Sequence, residues 1–133
     1  MAKEAPTVSV AIDDSGGSAR TISNDITGLS WSIPRGTQDV TGVDKAAIER
    51  LLLLADLSAT FDGVFNDASN MSHDVFKTVG SASVARTVTL VMSGQTLASE
   101  QLLTDYPLTR ASSGELTFSV PGVLQSGTAP TWS

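Results

Sequence analysis

The side chains of this chain that could do chemistry are few and stand far apart. There is one histidine, His73, and no cysteine, which excludes a thiolate nucleophile, a thiolate metal site and a disulfide framework. A histidine serves as a general base only with a nucleophile in hydrogen-bond reach. In Ser72-His73-Asp74, on a short turn, the neighbouring Asp74 points elsewhere, and the sequence nominates no nucleophile. Asp25-Ile26-Thr27-Gly28 carries the Asp, Thr and Gly of an acid-protease triplet with one residue too many, and a turn at a strand edge accounts for it. Asp62, Asn66, Asp67 and Asn70 offer oxygens at loop spacing, but without the fixed ligand pattern and distal glutamate of a calcium-binding loop. No Gly-rich phosphate cradle, no Gly-x-Ser-x-Gly elbow and no basic-aromatic interleaving occurs. The sequence specifies no catalytic residue, no cofactor-binding residue and no metal site. The expectation is a protein that is not an enzyme.

Composition narrows the classes further. At 133 residues, with 41% hydrophobic and 17% charged content, the chain can bury a core as one domain without cross-links. The net charge is −6, and the cations Lys3, Arg20, Arg35, Lys45, Arg50, Lys77, Arg86 and Arg110 are scattered singly. That is the reverse of the clustered Lys and Arg that grip phosphate. Met1-Ala2-Lys3-Glu4-Ala5-Pro6 lacks the apolar run of a signal peptide, and no stretch reaches membrane-span length. Soluble, cytoplasmic synthesis is the expectation, which makes Asn70-Met71-Ser72 a coincidental glycosylation sequon.

The elements that position these residues read mostly as strands. Val8, Val10 and Ile12 alternate, Asp13 to Ser18 is turn chemistry with Gly16-Gly17, and the chain returns through Arg20-Thr21-Ile22-Ser23 as a hairpin. Leu29 to Ile33 alternates up to Pro34, and residues 35–42 read as a polar loop long enough to reach beyond the domain. Leu57 to Phe65 alternates, with Gly63 marking a bulge or a close approach. Residues 66–70 form a loop and 72–77 a short helical turn with Ser72 as its cap. Val84 to Met92 is a strand, turned by Ser93-Gly94-Gln95 into a partner over 96–106. Glu115 to Val120 is another, ending before Pro121-Gly122. Beyond it lie Gly, Ser, Thr and Pro with one anchor, Trp132. About seven strands at this spacing predict a mainly β fold, two packed sheets in a sandwich or barrel flanked by one helix.

That helix is expected over 43–55. Thr41-Gly42-Val43-Asp44 supplies helix-start chemistry, and the segment ends in four consecutive leucines, Leu51 to Leu54, before Asp56. Four leucines in a row cover the whole circumference of a helix. A two-layer domain has difficulty burying such a turn, so the assembly or core helix (Ile48, Leu51, Leu52, Leu53, Leu54) points toward a core shared between subunits as well as ordinary packing on the sheets.

The chain resembles the tail tube (major tail) proteins of long-tailed bacteriophages, actinobacteriophage-like ones especially. The resemblance rests on Ile33-Pro34-Arg35-Gly36-Thr37-Gln38-Asp39-Val40-Thr41-Gly42 running into Asp44-Lys45 and the leucines. It continues through Asp62-Gly63-Val64-Phe65-Asn66, Ser72-His73-Asp74-Val75-Phe76, Arg86-Thr87-Val88-Thr89, Thr104-Asp105-Tyr106, Gly114-Glu115-Leu116-Thr117 and Gly127 to Trp132. It implies one tail tube domain over 1–133, with flexible arms at 1–6 and 123–133 that order on assembly or simply fray. It implies homo-hexameric rings stacked into a tube, and tape measure, tail terminator and baseplate or tail-tip proteins as partners. DNA would pass through an acidic lumen without specific binding, with no membrane involved. The protein would reside in the virion tail after assembly in the bacterial host cytoplasm. The inter-ring element would be the 13–18 hairpin or the 35–42 loop, the latter through Arg35, Gly36, Thr37, Gln38 and Asp39. Asp62, Asp67, Asp105 and Glu115 are the candidate lumen carboxylates. The alternatives are another phage structural protein (head decoration or tail terminator) or a ligand-binding β-sandwich module. Against the last stands an aromatic content of 5%, too little for a platform of exposed rings, with Trp31 and Trp132 placed for packing.

Overall fold

Alternation in the sequence becomes strands almost wherever it occurs. The structure, a computed structural model, describes residues 6–133, so all but Pro6 of the expected N-terminal arm lies outside the described residues. The strands are β1 (Val8–Asp13), β2 (Ala19–Thr21), β3 (Ile26–Ser32), β4 (Arg35–Asp39), β5 (Arg50–Ala55), β6 (Ser58–Val64), β7 (Arg86–Met92), β8 (Gln95–Leu103), β9 (Leu108–Arg110) and β10 (Leu116–Leu124). One short helix, α1 (Ser72–Phe76), lies between β6 and β7. The fold is mainly β: a large antiparallel sheet in the order β2-β1-β7-β8-β10-β6-β3, with β9 also on β10, and a second, small sheet of β4 and β5.

The core forms because the large sheet curls around one of its faces. Val10 and Ile12 of β1, Phe61 of β6, Val88 and Leu90 of β7, Leu97 of β8 and Phe118 and Val120 of β10 join Val75 and Phe76 of α1 in one buried cluster. Strands from both halves of the strand order thus share one interior, which every second residue enters. Gly63 marks the closest approach of two segments. A Cβ there would lie 2.2 Å from the Asp25 carbonyl oxygen and 2.6 Å from Phe118 Cζ. Only glycine lets β6 pass beneath the 3-10 turn at Ser23–Asp25.

Several local expectations give way to longer-range bonding. β10 does not end at Pro121 but runs on to Leu124. The Pro121 carbonyl accepts from Thr104 N–H at 3.2 Å, so the missing proline donor faces the gap between β9 and β8, where no ladder bond is lost. Ser72 is not the cap of α1. It sits buried in the first turn behind Met71, and its N–H donates to Asp25 Oδ2 at 3.0 Å. Val123 and Leu124, expected in the C-terminal arm, are the last residues of β10. At the far end Trp132 bridges Leu97, and Thr96 and Ser133 exchange backbone bonds of 2.9 Å.

The largest correction concerns residues 35–55. There is no helix over 43–55: Leu51, Leu52, Leu53 and Leu54 lie in β5, and Ile48 sits in the connecting loop. Likewise Arg35, Gly36, Thr37, Gln38 and Asp39 are not a loop but β4, the other arm of the ribbon. Leucine favours helix by a few tenths of a kcal/mol per residue, and a ladder to a partner strand overrides so weak a preference. The apparent helix-start residues do a different job. Thr41 Oγ1 accepts from Glu49 N–H at 2.9 Å, and Thr41 N–H donates to Asp39 Oδ1 at 2.9 Å, closing the neck of a hairpin.

Candidate assembly surfaces

The β4–β5 ribbon exposes apolar side chains on both faces. Asp39 opposes Arg50, Gln38 opposes Leu51 and Thr37 opposes Leu52; a bulge then leaves Leu53 and Leu54 facing Gly36 alone before Arg35 meets Ala55. Consecutive strand residues point to opposite faces, so the four leucines are divided between the two sides. All four are exposed, Leu54 by 92%, as are Val40, Val43 and Ile48. The ribbon is braced by its own polar bonds. Arg35 Nε donates to the Leu53 carbonyl at 2.8 Å and Val40 N–H to the Glu49 carbonyl at 3.0 Å. At its base Asp56 N–H donates to the Pro34 carbonyl at 3.0 Å. Hydrogen bonds from Thr41 hold the Asp39 carboxyl below its ordinary value. A two-stranded hairpin alone is marginal in water, and each leucine fully buried contributes about 2 kcal/mol. The ribbon has the character of a surface awaiting cover.

The convex face of the large sheet is chemically the opposite. From β7 it presents Thr87, Thr89 and Val91; from β8, Ala98, Glu100 and Leu102; from β10, Thr117, Ser119, Pro121 and Val123. β6 adds Ser58, Thr60, Asp62 and Val64, and β3 adds Ser30 and Ser32. Across these strands the face holds two carboxylates and no Lys or Arg. Of the carboxylates singled out from sequence, Asp62 lies on this face. Asp67 and Glu115 are exposed near one end of the sheet, where Phe65 N–H donates to the Leu116 carbonyl, and Asp105 is exposed between β8 and β9. None of the four forms an ion pair among the described residues. Serine donation holds the Glu115 carboxyl below its ordinary value. Glu100 was missed by sequence reasoning. Its place opposite Thr87 in the β7–β8 register, with the Thr87 hydroxyl on its carboxylate, was the available signal.

The residues with catalytic chemistry are engaged in holding the fold. His73 Nδ1 lies 3.3 Å from the Tyr106 hydroxyl, and its ring packs 4.7 Å from that of Phe65. Burial, and secondarily Asp25, push the Tyr106 hydroxyl above its usual pKa. Asp74 accepts from Asn70 N–H at 2.7 Å and from Lys77 at 3.0 Å, which keeps its pKa low. Asp25 is buried and accepts from Asn66 Nδ2 at 2.9 Å as well as from Ser72, and Asn66 Oδ1 accepts from Ala68 N–H at 3.0 Å, so the Asn66 side chain is spent internally. Arg86, also buried, donates to the carbonyls of Val75 and Asp13 and to Thr78 Oγ1 at 2.9 Å. Burial lowers its pKa. No three His, Asp or Glu among the described residues are grouped to hold a metal ion.

The fold is shared with chains of solved gene transfer agent particles. A chain of the tail of an empty gene transfer agent particle, obtained by helical refinement with C6 symmetry, superposes with a TM-score of 0.79 at 17% identity, over 99% of each chain. A chain of the virion of a native gene transfer agent particle gives 0.77 at 16% identity, again over 99% of both chains. At such identities the likeness establishes the fold. No protein-family profile matches the sequence, and no curated protein sequence does.

Proposed function

We propose that this chain is the tail tube subunit of a phage-like particle. As one domain it forms homo-hexameric rings that stack into a tube and conduct DNA from the virion. The observation that carries this reading is the uncovered leucine ribbon, on a fold common to a chain of a C6-symmetric tail. Burying four leucines between copies favours association by several kcal/mol per contact, enough to offset much of the entropy lost on docking. The convex sheet face suits the wall of a conduit. A cation held against phosphate would retain DNA, whereas hydroxyls with the carboxylates Asp62 and Glu100 let it slide. Asp67, Asp105 and Glu115 add negative charge toward the ends of such a wall. Tape measure, terminator and tail-tip proteins are the partners such a tube requires.

Negative-stain electron microscopy of the purified protein tests this. The expected result is rings, or hollow tubes of uniform width. A species that stays monomeric at every concentration and salt would contradict it. In assembled tubes, Asp62→Lys with Glu100→Lys is expected to create salt-sensitive retention of DNA that the parent tube lacks.

A further inference from the structure

The curled sheet does not close. β3 is the last strand of the order, and on the same side β1 has β2 beside it only from Ala11 to Asp13. Between β1 and β3 a groove of about 330 Å³ opens, floored by Val8 and Val10 from one strand and Ile26, Leu29 and Trp31 from the other. Ser23 closes one side, where its hydroxyl accepts from Val10 N–H at 2.8 Å. Among the described residues, no charged side chain lines the groove. A cavity of about 150 Å³ accommodates a benzene-sized guest, so this one has room for about two leucine side chains.

We propose that the groove is the seat of the leucine ribbon of a second copy of this chain, a placement that rests on the self-assembly reading above. Run and groove match in polarity. Leu51 to Ala55 form an uncharged run bounded by Arg50 and Asp56, and the described residues that line the groove are uncharged too. Among the described residues, both the run and the groove are open. Because knob and seat lie on different parts of the molecule, their contact is heterologous. Each copy that docks presents a further seat, which yields a ring where the rotation closes and a filament where it does not. A carboxylate on the ribbon would have to enter an apolar seat unpaired, which disfavours docking strongly.

The absence of cysteine from the sequence makes a cross-linking test clean, since a disulfide forms only when two Cα atoms come within about 7 Å. Leu52→Cys is combined with Thr27→Cys at the groove rim, and the oxidised protein is run on a non-reducing denaturing gel. The expected product is a ladder extending beyond dimer, at least tenfold enriched over either single variant and over Leu52→Cys paired with Ser113→Cys at a distant turn. Tubes that form normally without a ladder would overturn the seat and leave the tube reading intact, assigning the groove to another occupant. A ladder without tubes would support the seat and count against the tube. Neither ladder nor tubes would overturn both.

Discussion

β5 and β6 are neighbours in sequence, separated by Asp56 and Leu57, and they fare oppositely. β6 reads Ser-Ala-Thr-Phe-Asp-Gly-Val, alternates, and buries Ala59, Phe61 and Gly63 beneath a polar face. β5 reads Arg-Leu-Leu-Leu-Leu-Ala, does not alternate, and buries none of its leucines. An alternating strand needs one covered face, and the chain's own core provides it. A continuous apolar strand needs two, and a ribbon standing off the body has neither. The contrast separates residues that the chain's own core buries from residues that it leaves exposed.

Substitutions can break this contrast from either side. Phe61 is fully buried, so Phe61→Ala is expected to destabilise the monomer by about 3–5 kcal/mol in urea unfolding. Leu52→Asp is expected to shift the same transition by less than about 0.5 kcal/mol, yet to abolish sedimenting assemblies. A large loss of monomer stability in Leu52→Asp would mean that the ribbon belongs to the core. Arg86→Ala strands buried carbonyls that its guanidinium now satisfies and is expected to cost about 3 kcal/mol. Gly63→Ala would drive a Cβ into backbone and is expected to lose about 1–3 kcal/mol. A Cβ at Gly122 would meet side chains first, those of Gln101 and Leu103, rather than backbone, so Gly122→Ala should lose less, a ranking that thermal melts can check.

The smallest expected effect is on pH. Asp14, Asp39 and Asp74 are all held below the ordinary value of 3.8, chiefly by hydrogen bonds from Ser18, Thr41 and Asn70 respectively. A carboxylate with a lowered folded-state pKa contributes stability that is complete above its unfolded value and is lost as pH falls through the folded one. Monomer stability is therefore expected to stay level from neutrality down to about pH 5 and to decline below about pH 4. Asp39→Asn should flatten only the part of that decline that belongs to the ribbon, read from hydrogen exchange at Val40 and Glu49.

What was legible in the sequence follows the same division. The strands with Val8, Val10 and Ile12, with Ala59 and Phe61, and with Val88 and Leu90 were readable because burial on one face leaves a period of two. The leucine run has no period, so it fits a buried helix and a strand alike, and only pairing with Arg35–Asp39 decides the matter. The capping of α1 by Asp25 was invisible for a related reason: the bond spans 47 positions. The run Leu51 to Leu54 stands out in the sequence because an all-round apolar segment demands cover whichever way the backbone runs, and the structure leaves all four exposed. Glu100 and the groove between β1 and β3 required the strand order.

Hydrogen–deuterium exchange, comparing dilute and concentrated protein, tests the central claim most directly. The account predicts that amides of residues 50–55 exchange freely in the monomer and become protected at least tenfold on assembly, while those of β6, β7 and β10 stay protected throughout. Assemblies in which residues 50–55 exchange as fast as in the monomer would contradict it.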